Sequence, residues 1–300
     1  MVAVIAVLAS GCDERKSADS VTWQEGKLRV VATTTMLADL CRVVGGDAVQ
    51  VVGLMGPEQD PHSYVSRVGD AKLLADAQVI VANGLRLEGK LVERLSEKKQ
   101  SSKQILIVGD QLPSDLLLAP QEEFEGTKDP HVWGDVALWK QATDLVAAAF
   151  SQAMPEQKSV FIERAKQYNG ELSTLDAWIR TEVAQVPEAK RVLVTGHDAF
   201  FYFGKAYGFQ VRGVRGVSSA VESDLRQNQE LATFIRERGI RTIFAESTVN
   251  GKEVNAVAER SGAVVSAENL YSDALGKDGD VATYLGMMRH NVKAIVEGLK

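Results

Sequence analysis

Three of the four histidines in this chain stand where they could share one transition-metal ion. Asp60-Pro61-His62 and Asp129-Pro130-His131 repeat a tripeptide, and Thr195-Gly196-His197 follows directly on the apolar run 191–194. Each histidine is expected in a loop just beyond the end of a strand pattern. Imidazole is the commonest side-chain ligand of transition metals, and three on separate loops could supply the nitrogen donors of one site. Proline fixes its own φ and biases the preceding aspartate toward extended backbone, so His62 and His131 leave on stiff stems. The neighbouring aspartates could orient the imidazoles by accepting the second ring N–H.

His290 is the internal control. In residues 281–299 the side chains Leu285, Met288, Val292, Ile295, Val296 and Leu299 share one helical face. His290 lies on the opposite face and is expected to be exposed rather than a ligand. A fourth ligand is expected from the C-terminal half, with Asp273, Asp278, Asp280 and Glu246 as candidates. Asp280 is accounted for as an N-cap of the last helix and Asp278, between Lys277 and Gly279, as a turn residue. Asp273 has no such account, and Glu246 ends the strand pattern 242–245. With an open coordination position and Glu246 as general base, the same residues would make a zinc hydrolase. Against that, four protein ligands close a tetrahedral site, and no His-Glu-x-x-His pattern is present. A surface adhesion or structural protein carrying a metal is a further alternative.

The elements that must position these residues alternate. Strand patterns at 28–33, 49–54, 79–82 and 105–108 are interleaved with helical patterns at 36–44 and 71–77. The alternation restarts with strands at 191–194, 209–214, 242–245 and 263–266 and helices at 199–207, 228–238, 253–261 and 281–299. Such alternation predicts βαβ units with parallel sheets, an α/β fold. Between the two series, residues 155–187 open and close on proline and carry apolar residues at helical spacing. One continuous helix there would be about 45–50 Å long, enough to run between two domains, with Gly170 as its weak point. Cys41, within the helical pattern 36–44, is expected to be a buried small hydrophobe.

Composition bounds the partners. The net charge of −6 over 300 residues leaves no basic excess for phosphates, so nucleic acid is not expected as a partner. No Walker-type Gly-x-x-x-x-Gly-Lys-Ser/Thr occurs, so an ATPase, if one is involved, is another chain. Residues 1–11 are apolar and end in small residues before Cys12, which predicts a signal peptide cut ahead of a lipidated Cys12. The stretch lacks a basic start, and Ala9 stands where a larger aliphatic is commoner. Residues 12–26 are expected to form a flexible tether.

A family resemblance rests on six segments taken in order. They are Gly56-Pro57-Glu58-Gln59-Asp60-Pro61-His62-Ser63-Tyr64, Asn83-Gly84-Leu85, Asp129-Pro130-His131-Val132-Trp133, Gly196-His197-Asp198-Ala199-Phe200, Ala245-Glu246-Ser247, and Tyr271-Ser272-Asp273-Ala274-Leu275-Gly276. Together they resemble the metal-binding solute-binding proteins of ABC transporters, the TroA-like zinc and manganese group. The resemblance implies metal ligands at His62, His131, His197 and Asp273, one pair from each lobe. It implies two lobes, each a mainly parallel sheet flanked by helices, joined by one long linker helix. The expected division is 27–154, 155–187 and 188–300. It further implies a monomeric carrier, lipid-anchored in the periplasm or on the cell surface, that serves an ABC permease and its separate ATPase. Some manganese and iron binders of this group carry Glu where His197 stands, and some zinc binders carry a histidine-rich loop that this chain lacks. Three nitrogens and one carboxylate favour Zn²⁺, with Mn²⁺ left open by metal availability.

Overall fold

The computed structural model describes residues 21–97, 103–119 and 128–300. The expected signal peptide, the lipidated Cys12, the first part of the tether and the acidic run 121–125 lie outside the described residues. The first series of elements is β1 (Leu28–Ala32), α1 (Thr35–Gly45), β2 (Val49–Gly53), α2 (Val68–Asp76), β3 (Val79–Ala82), α3 (Lys90–Glu97), β4 (Gln104–Ile107), the single turn α4 (Val108–Gln111) and α5 (Val136–Ala153). α6 (Lys158–Val183) follows. The second series is β5 (Val192–His197), α7 (Phe201–Tyr207), β6 (Gln210–Arg215), α8 (Leu225–Arg238), β7 (Thr242–Ile243), α9 (Lys252–Ser261), β8 (Val264–Val265) and α10 (Tyr284–Leu299).

The first sheet is parallel throughout, in the order β2-β1-β3-β4. In the second lobe β5 pairs with β6 and β7 with β8, again parallel. The Phe244 N–H donates to the Val194 carbonyl at 2.9 Å and ties the two pairs together. The resulting order, β6-β5-β7-β8, repeats that of the first sheet. Strand side chains alternate between two layers, as the period of two requires. Leu28, Val30 and Ala32 of β1 enter the same core cluster as Leu193 of β5. Val31 faces an outer cluster with Leu73, Ile80 and Leu91, and Val192 and Val194 face another with Ile235, Ile243 and Val257. The inner core therefore belongs to both lobes.

α6 runs through that inner core. Phe161, Ala165, Tyr168, Leu172, Leu175, Ile179 and Val183 are buried along it, and it packs on α1 and α5 of one lobe and on α7 and α10 of the other. Its 26 residues span about 39 Å, less than a helix over all of 155–187 would. Pro155–Gln157 form a separate 3-10 turn before it. Gly170 does not interrupt the helix, and the space beside its Cα is open. Two further differences from the sequence patterns have clear causes. No element is predicted over 136–153, yet α5 buries Val136, Leu138, Trp139, Ala142, Val146, Ala149 and Phe150 on one broad face at helical spacing, with alanines such as Ala137 and Ala148 on the exposed side blurring its edge. The last helix starts at Tyr284, and its N-cap is Thr283, whose hydroxyl accepts from the Gly286 N–H at 3.2 Å; Asp280 instead opens a short 3-10 turn. Cys41 is fully buried and unpaired, as its helical setting predicts.

Candidate metal site

Four side chains from four separate segments meet between the lobes. Donor atoms of His62, His131, His197 and Asp273 all lie within 4.8 Å of one another. His62 Nε2 is 3.3 Å from His131 Nε2 and 3.9 Å from Asp273 Oδ2. His131 Nε2 is 3.4 Å from Asp273 Oδ1, and His197 Nε2 is 3.1 Å from Oδ2. Ligands held tetrahedrally at zinc's usual bond lengths stand roughly 3.3 Å from each other, so the four groups already have the spacing of one coordination shell. His62 is on the long β2–α2 connection. His131 is on the β4–α5 connection, well beyond the end of β4 rather than immediately after it. His197 is not in a loop, because β5 continues through it, in register with Arg215 of β6. Asp273 follows Leu270, whose N–H donates to Ala245 O at 2.9 Å and holds that segment beside β7.

Two of the imidazoles are oriented by carboxylates behind them. The His131 backbone N–H and ring Nδ1 both point at Asp129 Oδ1, at 2.9 and 2.7 Å. The His197 backbone N–H donates to Glu246 Oε1 at 2.8 Å, and its Nδ1 lies 2.6 Å from Oε2. With Nδ1 donating rearward, Nε2 turns its lone pair toward the site, as a metal requires. Gly196 makes room for this arrangement, since a Cβ there would stand 3.1 Å from Glu246 Oε1. Glu246, a candidate ligand or base on sequence grounds, is thus committed to orienting His197. Asp129 acts as the sequence suggests, whereas Asp60 holds only the backbone N–H of His62, at 2.9 Å.

Further supports include Asn83, Trp133 and Ser272 of the resembling segments, but their pairings have no local sequence signal, because the partners are far apart in the chain. The Trp133 indole N–H donates to the Ser272 carbonyl at 2.8 Å and ties the His131 turn to the Asp273 segment. The Asn83 amide donates to the Pro130 carbonyl at 3.0 Å. Buried Glu88 in turn accepts from the N–H groups of Asn83 and Gly84 and from the Thr33 hydroxyl, at 2.6, 3.0 and 2.7 Å. His290 is half-buried rather than exposed. Its Nε2 is 2.9 Å from the Asn269 carbonyl and its ring meets Tyr271 edge-on, away from the four-residue cluster.

The electrostatics are those of a cation site. Both Asp273 oxygens and His197 Nε2 are buried with no hydrogen-bond partner outside the cluster itself. Orphaned buried polar atoms are costly, and a metal ion is one group that satisfies all three at once. Burial pushes His62 down to about 3, with Asp273 opposing. Burial acts the same way on His131, but Asp129 and Asp273 outweigh it and raise the imidazole to about 9. Burial on His197 is likewise outweighed, by Glu246 and then Asp273, and its value lies well above the ordinary one. Burial would raise Asp273, yet His197 and His131 hold its carboxyl well below the usual carboxylate range.

Known proteins share this arrangement of chain and fold. The manganese-binding lipoprotein MntA of Bacillus subtilis is 42% identical over 309 residues, covering 100% of this chain and 97% of the relative. The zinc-binding protein TroA of Treponema pallidum is 40% identical over 281 residues, covering 92% and 90%. The solved structure of the periplasmic zinc-binding TroA from that organism superposes with a TM-score of 0.87 at 39% identity, over 91% of this chain and 99% of that one. Residues 30–298 match the family model described as the periplasmic zinc-uptake complex component A, and the chain belongs to that family of metal-binding, substrate-binding proteins.

Proposed function

We propose that the chain captures one divalent transition-metal ion outside the cytoplasm and delivers it to an ABC permease driven by a separate ATPase. The ligands are His62, His131, His197 and Asp273. The observation that carries this assignment is the convergence of three Nε2 atoms and one carboxylate whose buried atoms lack partners outside the cluster. Zn²⁺ is the favoured cargo, because imidazole nitrogens suit it and the intrinsic order of affinities places it far above Mn²⁺. Identity to relatives does not decide the metal, since a manganese-named and a zinc-named relative stand at 42% and 40%. The protein binds without turnover, because Glu246 spends both oxygens on His197 and is not available as a base. In the same reading the lobes are 27–154 and 188–300, joined by 155–187, and the mature monomer is anchored through lipid on Cys12. Among the described residues no helix is long and apolar enough to cross a membrane.

Metal analysis and competition titration with Zn²⁺ and Mn²⁺ test the function. One ion per chain, lost on replacing any of the four ligands with Ala and kept in His290→Ala, is the expected result. Wild-type zinc affinity in any two of the four ligand variants overturns the assignment. An intact, unmodified Cys12 in the native N-terminus overturns the anchor.

A further inference from the structure

The two Asp-Pro-His turns use their aspartates differently. In both, Oδ1 accepts the histidine backbone N–H at 2.9 Å. In the second turn the same oxygen also meets the imidazole. In the first, the carboxylate does not pair with the ring, and its Oδ2 is free to act elsewhere. That oxygen accepts from the Ser63 hydroxyl at 3.1 Å, within the turn, and from the Ser219 hydroxyl at 2.8 Å, across the cleft. Ser219 belongs to the other lobe, in the loop after β6, and is only 3% exposed.

Ser219 is itself firmly held. The Arg215 guanidinium donates to its carbonyl and makes a two-point ion pair with Glu253, Nε to Oε2 at 2.8 Å and Nη2 to Oε1 at 3.1 Å. Arg215 ends β6 directly beside His197 in the sheet register. A continuous chain of contacts therefore runs from the His197 strand through Arg215 and Ser219 to Asp60 and the backbone of His62. His62 is also where the site meets solvent. Its side chain is 4% exposed, while those of His131, His197 and Asp273 are 0%. The Asp60–Ser219 bond spans the lobes beside this slightly exposed ligand.

We infer that Ser219 is a positioning residue of the metal site: its hydroxyl holds the His62 turn against the second lobe and thereby sets the rate at which the ion leaves. The inference rests on the carrier function proposed above. A hydrogen bond to a carboxylate is stronger than one between neutral groups, and this one is part-buried. Its loss frees the turn to swing away with His62 while the donor set stays intact. The effect falls on dissociation, because losing the tie eases opening of the loaded site, while an arriving ion meets the same four ligands either way.

The test uses full-length, zinc-loaded protein and transfer to a fluorescent chelator in stopped flow. Ser219→Ala is expected to release zinc about tenfold faster, the effect of losing one hydrogen bond to a charged group, with the association rate unchanged within about twofold. Ser219→Thr keeps the hydroxyl and restores slow release. Ser63→Ala removes the bond to the same carboxylate oxygen without uncoupling the lobes and leaves the release rate as in wild type. Amide hydrogen exchange at residues 60–64 of the metal-free protein, faster in Ser219→Ala alone, gives a readout that needs no metal. Unchanged release and exchange in Ser219→Ala, or equal acceleration by Ser63→Ala, overturns the inference. A wild type that binds no zinc overturns the carrier function instead, and the exchange measurement then still decides the role of Ser219.

Discussion

The charge state of the site sets its chemistry residue by residue. Metal coordination requires neutral imidazoles. His62 is neutral already, since burial pushes it down to about 3. His131, raised to about 9, is protonated at neutral pH in the metal-free protein, and His197 is shifted well above its ordinary value in the same direction by Glu246 and Asp273. Their raised values favour the protonated, metal-free form below about pH 9, so affinity grows as pH rises toward that value and falls as pH drops below it. Near pH 7, binding should release protons from His131 and His197 and none from His62. Calorimetry in two buffers of different ionisation enthalpy counts them, and a count near zero contradicts the charge assignment. Glu246→Gln should weaken zinc binding by about tenfold, the low end for loss of a partner behind a metal-binding histidine. Equilibrium titration checks it, and an unchanged affinity would show that Glu246 does not orient His197. The three histidines were legible because their motifs are local and Asp-Pro-His repeats. Asn83 stood out only as part of a resembling segment, without its role, and Glu88 and Ser219 not at all, because each acts on a residue brought to it only by folding.

The elements were legible where one face alone is buried. α1 carries its apolar side chains on a single stripe, and its pattern is predicted over nearly its full length. α5 has a buried face at helical spacing but carries alanines on its exposed side as well, which blurs the contrast, and β5 extends past its apolar run to include Thr195, Gly196 and His197, which periodicity does not report. Two glycines separate propensity from geometry. Gly170 sits in the exposed middle of α6 with open space beside its Cα. Gly170→Ala should therefore raise stability by about 0.5–1 kcal/mol, since only the helical backbone entropy of glycine is at stake. Gly84 has φ +79°, and a Cβ there would stand 2.3 Å from Ile107 Cγ2. It leads into Leu85 and Arg86, also left-handed at φ 54° and 66°, in the turn that Glu88 grips. Gly84→Ala should cost more than about 1 kcal/mol and weaken metal binding as well, because the same turn supports Pro130 through Asn83. Denaturant melts of the two variants check the opposite signs. Equal shifts in one direction would show that local backbone freedom does not govern either position.

At the scale of the whole molecule, the two-lobe plan was visible in the paired βα series and the long proline-bounded segment, but the degree of coupling between lobes was not. Periodicity shows which face of an element is apolar and not which partner covers it. The structure gives the inner faces of both sheets and α6 one shared core. Polar ties cross the same boundary. The Tyr284 N–H donates to Asp39 Oδ2 at 2.9 Å, the Leu275 N–H to Thr35 Oγ1 at 2.8 Å, and the Tyr284 hydroxyl to the Trp133 carbonyl at 2.8 Å. Neither lobe can lose its inner layer without exposing the other's. The chain should therefore unfold in one cooperative transition despite its length, with far-UV circular dichroism and tryptophan fluorescence coincident. Trp23 packs against the outer cluster of the first lobe and Trp133 stands at the site between lobes, so fluorescence samples separate regions. Leu172→Ala, in the fully buried stripe of α6, should lower stability by about 2–5 kcal/mol and move the whole transition without splitting it. Zinc at about one hundred times its dissociation constant should add roughly 2.7 kcal/mol to that single transition. Two resolved transitions, with zinc shifting only one, would show that α6 connects the lobes without welding them, and would place the freedom to open the site in the long helix rather than in the loops around His62.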